Sequence, residues 1–235
     1  MKDTTATTVN QFFEIIEKYQ RNSWLKFRGQ SNADWKIIPK AGRDVFCKYD
    51  DKAMFESWKR RGKTMIEKEQ LNDWDYLAIA QHTGLPTRLL DWSHNPLIAC
   101  FFACNENFEN DGVVYIYDSE HWKAKTETTS PFDFKGTGLI VPTVFNQRIG
   151  NQFGYFTIHG NPKQEFNKKN CEGKLSKIVI KRNIKKDIIF RLNHYGINYL
   201  TIYPDLEGLS KHLCWFSENF DYWTEESRIE LGLTK

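Results

Sequence analysis

Sixteen residues constrain this chain more than any others. From Gln81 through His82, Thr87, Arg88, Asp91, Trp92 and His94 to Pro96, two His, an Arg, an Asp, a Gln and a Trp lie between two apolar patterns of helical spacing. A connection that only had to turn needs Gly, Pro and Asn for their backbone dihedrals, whereas Arg, Trp and His cost more side-chain entropy to order. Two readings stand together at this point: an internal ion pair between Arg88 and Asp91, three residues apart, and a ligand site. Asp73 as N-cap predicts a helix through Trp74, Leu77, Ala78 and Gln81, with Gly84 at its C′ position. Asn95-Pro96 predicts the start of the next, carrying Leu97, Ile98, Phe101 and Phe102 inward. The stretch is thus clamped at both ends, and a site needs that rigidity.

At 235 residues with 40% hydrophobic and 15% aromatic side chains, the chain has ample material for a core. No linker rich in Gly, Ser or Pro and no internal repeat divides it, so a single domain over 1–235 is expected. A net charge of +3 is too balanced to argue for nucleic acid or an anionic membrane by charge alone. No signal-type n-region and h-region opens the chain, and no apolar run approaches the roughly 18 residues that span a bilayer. The expectation is a soluble, cytoplasmic protein with no membrane partner. Five Cys at irregular spacing do not form a disulfide framework, and Cys100 and Cys104, beside Phe101 and Phe102, read as small buried hydrophobes. His82, His94 and Asp91 lack a metal-ligand spacing, and Ser93 with His82 and Asp91 lacks the Gly-x-Ser-x-Gly elbow of a hydrolase.

Thr8 with Gln11 gives a capping-box pattern for a first helix through Phe12, Phe13 and Ile16. Trp24 to Gln30 alternates, which predicts a strand ending at Gly29, with Leu25 and Phe27 on one face and Trp24, Lys26 and Arg28 on the other. Arg28 at a strand end is then aimed beyond the sheet edge, where Gly29 permits a close approach; pairing of Arg28 to a nearby carboxylate is the alternative. Residues 31–50 form an irregular excursion, and the Arg60–Lys63 run reads as a solvated helix face. Gly112 to Asp118 is the strongest strand signal, followed by Gly138–Pro142, Phe153–His159 and Lys177–Lys181. The fold class expected is α+β, helices mainly in the first half, with a mixed or antiparallel sheet. Further on, Asp187 to Tyr195 reads as a helix stopped by Gly196, Tyr199 to Tyr203 as a short strand, and Pro204-Asp205 as the start of a last helix through Leu206, Leu209, Leu213 and Trp215. The closing segment from Phe216 reads as a docked or a partner-binding tail.

With these residues laid out, the chain resembles the FRG domain family, through Phe27-Arg28-Gly29 followed by Gln30 and through Gln81 to Trp92. The likeness extends to Arg148, Ile149, Gln152, Gly154 and Phe156, then to Gly196-Ile197-Asn198 and Tyr203 to Leu206. It implies a bacterial accessory, phage-defence or toxin setting but no settled activity. A weaker likeness to ADP-ribosyltransferases supplies one, with NAD as substrate. It gives Arg28-Gly29 the early strand end, Thr87 or Ser93 the Ser/Thr before the apolar helix, and Gln152 or Glu165 the late Gln or Glu. The chemistry asks for a cation at the pyrophosphate, backbone groups beside a Gly for the nicotinamide amide, and a carboxylate or amide at the oxocarbenium-like ribose. Gln152 cannot carry negative charge, a departure from the usual Glu. On this reading Arg28, His82 and Gln152 are the catalytic candidates, and Phe27, Gly29, Gln30, Thr87, Arg88, Asp91 and Trp92 bind the nucleotide. The alternatives are a non-catalytic module for a ligand or nucleic acid, suggested by Trp24 with Lys26 and by the Lys181–Lys186 run, and a scaffold that binds protein.

Overall fold

The computed structural model describes residues 2–66, 70–120, 129–141, 154–221 and 223–230. Its centre is a seven-stranded mixed sheet made of β1 (Thr4–Ala6), β2 (Leu25–Gln30), β3 (Leu89–Ser93), β4 (Gly112–Asp118), β5 (Thr137–Ile140), β6 (Gly154–His159) and β7 (Lys174–Ile180). The order is β1-β7-β4-β2-β3-β6-β5, parallel only between β1 and β7. Helices α1 (Val9–Glu17), α2 (Asp51–Gly62), α3 (Asp73–His82) and α4 (Pro96–Cys104) belong to the first half. Later come α5 (Lys185–His194), α6 (Tyr199–Ile202), α7 (Leu206–Asn219) and α8 (Glu225–Glu230). This is the α+β class with a mixed sheet that the alternation of strand and helix patterns implied. No described helix is long and apolar enough to cross a membrane.

Strand alternation sorts the side chains onto two faces. Phe27 faces Ile116 and Gly29 faces Val114 across β2 and β4, and α1, α4 and α5 cover that side with Phe12, Ile98, Phe101 and Ile188. Arg28 faces Tyr115 on the reverse side, where Trp92, Tyr117 and Phe166 pack together. Beyond β3, α2 and α3 bring Phe55, Trp74 and Leu77 onto Leu89, Phe156 and Ile158. Since Ser93 pairs with Phe27, and Leu89, Asp91 and Ser93 alternate onto one side, α3 and α4 stand on the same face of the sheet.

Local chemistry explains most element ends. Asn72, not Asp73, caps α3, because its side chain accepts from Trp74 N and Asp75 N while Asp75 returns to Asn72 N, which leaves Asp73 as the first helical residue. Gly84 at φ +92° ends that helix, with Gly84 N bonding Gln81 O and Leu85 N bonding Ala80 O, and Gly196 at φ +77° repeats the motif after α5. Residues 199–202 are helical rather than extended: Asn198 and Thr201 form a reciprocal cap that outweighs the β-propensity of the tyrosines. Cys100 and Cys104 are buried in α4, as their apolar neighbours implied.

The expected Arg88–Asp91 pair is not formed. Arg88 stands in the bend just before the strand Leu89–Ser93, while Asp91, inside the strand, is bonded to Gln81. Arg88 turns instead to Asp51 in the first turn of α2, with Nε–Oδ2 at 2.7 Å and Nη2–Oδ1 at 2.8 Å, and its guanidinium lies 4.6 Å from the Phe132 ring centroid. Only 8% of the Arg88 side chain and 14% of Asp51 is exposed, so this bidentate pair pins α2 to the strand. Arg88→Ala should cost about 3–5 kcal/mol in urea melts by stranding the Asp51 carboxylate. The loss in Arg88→Ala/Asp51→Ala should fall well short of the sum of the single losses, while Arg88→Ala and Asp91→Ala should add.

Gly29 also has a structural task. A Cβ there would stand 1.8 Å from Ala99 O, so the close approach that Gly29 permits is that of helix α4 to strand β2. Gly29→Ala should lower the melting temperature markedly, because backbone rather than a flexible side chain must yield.

Candidate functional site: a cleft where two strands part

Strands β2 and β3 share one registered pair, Phe27 with Ser93. Beyond it the Asp91 carbonyl, which a longer ladder would give to a backbone N–H, accepts from Arg28 Nη1 at 2.8 Å. The guanidinium stands between the strands, 13% exposed, with Nη1 3.7 Å from Asp91 Oδ2. Burial lowers its pKa, the Asp91 charge works against that, and Arg43 adds a further lowering. Arg28 Nε has no hydrogen-bond partner among the described residues. The parted strands and the helices above them enclose a cleft of about 270 Å³, walled by Phe27, Ile98, Phe102, Tyr155, Phe156 and Tyr203, with Arg28, His82, Asp91 and Ser93 turned toward it.

Asp91 is held by a chain of hydrogen bonds from the end of α3. Leu89 N donates to Thr87 Oγ1 (3.2 Å), the Thr87 hydroxyl donates to Gln81 Oε1, and Gln81 Nε2 donates to Asp91 Oδ2 (2.9 Å). Gln81 is thereby fixed in its amide orientation, because Thr87 needs an acceptor and Asp91 a donor. The Asp91 side chain remains half exposed, so one carboxylate oxygen is available to the cleft.

Behind the cleft, Trp92 Nε1 donates to Thr157 Oγ1 at 3.0 Å, and His159 Nε2 lies 2.9 Å from the same hydroxyl. Burial, with the nearby Arg28 charge, pushes the His159 pKa down to about 3, so the imidazole is neutral and fills a space that a cation could not. His82 meets the edge of Phe156, with ring centroids 5.7 Å apart.

Of the residues expected at a site, Phe27, Arg28, Gly29, His82, Asp91 and Trp92 are brought together in this cleft. Thr87 stands behind it and acts through Gln81. Gln30 is buried, its Nε2 donating to Lys36 O (3.4 Å), and Arg88 is spent on Asp51. Gln152 lies outside the described residues, as do Arg148 and Ile149. Glu165 lines a separate cavity of about 170 Å³ with Thr137, His159 and Phe166. Tyr155, Tyr203 and Phe102 were missed, because no spacing links them in sequence. Arg43 was missed as well: it lies in the irregular 31–50 excursion, yet its guanidinium feels the charge of Asp91.

Two of the basic residues set against nucleic acid, Lys26 and Lys185, are spent inside the protein, and Lys181 is paired at the surface. Lys26 is buried, donating to three backbone carbonyls, with Nζ 4.4 Å from the Tyr155 ring centroid. Lys181 pairs with Asp111 at 2.8 Å. Lys185 is fully buried among the carbonyls of Ser31, Glu106, Asn107 and Asn110, and burial lowers its pKa.

Residues 23–112 match the family model for the FRG domain. The chain carries an FRG domain. No curated protein and no solved structure matches it. The FRG match runs from just before β2 to the first residue of β4, so it contains Arg28, Gln81, His82 and Asp91, the polar part of the cleft. Tyr155, Phe156 and Tyr203, three of the aromatic walls, come from beyond the matched FRG residues.

The buried neutral His159 has a consequence for stability. Its folded pKa of about 3 lies below the ordinary 6.5, so between these values the unfolded chain takes up a proton that the folded chain refuses. Stability is full above pH 6.5 and falls as pH drops toward 3, with a slope of up to about 1.4 kcal/mol per pH unit from this group. Urea melts from pH 7 to 4 should show a shallower slope for His159→Gln than for wild type.

Proposed function

We propose that the FRG cleft takes the nicotinamide–ribose end of NAD and breaks the bond between them, in the manner of an ADP-ribosyltransferase. The observation that carries this reading is Asp91, a carboxylate fixed by Gln81 at 2.9 Å beside aromatic walls. The nicotinamide ring of NAD is flat and cationic, so it suits such walls and such a charge. As the C1′–N bond breaks, its electron pair neutralises the ring nitrogen and positive charge moves to the ribosyl oxocarbenium, which Asp91 then faces. An acceptor hydroxyl or water adds to that carbon, and His82 takes the proton it loses. Asp91 meets the demand for negative charge that Gln152 cannot. Arg28, which donates to the Asp91 carbonyl, positions the carboxylate rather than the pyrophosphate. A volume of about 270 Å³ holds a ring and its sugar, below the roughly 300–1,000 Å³ of sites that enclose a whole ligand, so the adenosine end lies at the mouth. Covalent modification of a target, or loss of NAD, suits the bacterial defence or toxin setting.

The test is isothermal titration with NAD and ADP-ribose together with chromatographic detection of released nicotinamide. Asp91→Asn should bind ADP-ribose within a few-fold of wild type and release nicotinamide about 10²-fold or more slowly. Arg28→Lys should also lose turnover with only a small drop in melting temperature, since an ammonium can still donate to the Asp91 carbonyl but cannot reproduce the planar fork. If neither nucleotide binds wild type at millimolar concentration, the NAD reading fails, and if Arg28→Lys unfolds, Arg28 belongs to the fold alone.

A further inference from the structure

Thr137 and His159 are registered partners across β5 and β6, so their side chains stand together on one face of the sheet. His159 alternates with Phe156 and Ile158, which pack with α3, and the pair therefore points to the other side. There, with Phe166 and the loop after β6, it encloses a cavity of about 170 Å³ separate from the cleft. His159 is 2% exposed, and Thr137 Oγ1 is buried with no hydrogen-bond partner among the described residues. A buried polar group left unpaired is costly, and here the space beside it is open.

The hydrogen on the His159 ring can be placed. Trp92 Nε1 only donates, so the Thr157 hydroxyl accepts from it, and the acceptor that its own hydrogen meets is His159 Nε2. A neutral imidazole that accepts on Nε2 carries its hydrogen on Nδ1. The cavity side of His159 thus presents an N–H that no described group accepts, next to the unpartnered hydroxyl of Thr137. Two such donors side by side call for one oxygen from a ligand.

The rest of the lining narrows the ligand. Among the described residues no Lys or Arg lines the cavity, and Glu165 stands at its half-open rim, which disfavours an anion. A cation would meet N–H and O–H at the floor. A sugar needs partners all round, but the side chains of Asn161 and Asn170 are committed to their own loop, accepting from Lys163 N and Asn167 N. A carboxamide fits: its carbonyl oxygen has two lone pairs and no hydrogen, and its NH2 group has Glu165 to donate to. The volume falls below the roughly 300–1,000 Å³ of sites for larger ligands, which leaves room for a single ring.

We propose that this cavity binds a small carboxamide, and that the ligand is nicotinamide, held through its carbonyl oxygen by Thr137 and His159. The chemical class follows from the lining alone, whereas the choice of nicotinamide rests on the NAD reading, in which that molecule is released at the cleft. Through Thr157 the site reaches Trp92, the neighbour of Asp91 on β3, so the product is sensed directly behind the carboxylate that frees it.

Titration of the full chain with nicotinamide, followed at the His159 ring signals by NMR, should give a Kd of about 1 mM, with nicotinate and ribose about tenfold weaker or more. Long-range proton–nitrogen spectra should show the ring hydrogen on Nδ1. Thr137→Val removes a hydroxyl that has no partner, so it should melt at or above the wild-type temperature and yet weaken nicotinamide about tenfold. Asp91→Asn should leave the His159 response unchanged. No response at tens of millimolar overturns the proposal, as does a response that survives Thr137→Val, a stronger response to nicotinate or ribose, or a hydrogen on Nε2. NAD turnover without a His159 response leaves the cleft assignment standing and removes this one, while a Thr137-dependent response without turnover supports the carboxamide site and removes the NAD reading.

Discussion

The single registered pair between β2 and β3 is the constraint on which the rest depends. Two strands that part after one pair leave backbone groups with no ladder partner, and burying such groups unpaired is costly. Arg28 supplies the missing donor at the Asp91 carbonyl, so the gap persists as a cleft instead of closing into a continuous ladder. Gly29 admits α4 on one side of that gap, and the capped end of α3 delivers Gln81 and His82 on the other. The cleft is therefore a consequence of how the sheet is joined, not a feature of one loop.

Two arginines and two aspartates close to this junction could have paired in more than one way. Position along the chain decides it. Arg88, in the bend before β3, meets Asp51 at the start of α2, and Asp91, two residues into the strand, meets Gln81 at the end of α3, with Arg28 reaching it from the neighbouring strand. One pair is enclosed and holds two elements together, while the other leaves a carboxylate half exposed. The same two residue types thus do different work because solvent reaches them differently.

Cations elsewhere are drawn inward too. Lys26 and Lys185 donate to backbone carbonyls at the ends of elements, and these hydrogen bonds offset part of the cost of burial. The formal charge of +3 consequently overstates the basic surface near these positions, and it is the enclosed polar network around Asp91 that marks the chemistry.

Much was legible in the sequence because it was local. Thr8, Asn95-Pro96, Gly84 and Gly196 end or begin helices through bonds to residues within five positions, and the period of apolar residues in 112–118 is visible without the fold. The crowding of polar residues in 81–96 marked the cleft for the same reason. What tertiary structure alone decided is partnership across distance: Arg88 with Asp51, Arg28 with Asp91, Gly29 under α4, and Tyr155 and Tyr203 as walls. No sequence interval encodes these, since each depends on which strands become neighbours and which face each residue takes. A shift of one residue in strand register would reverse every one of those faces.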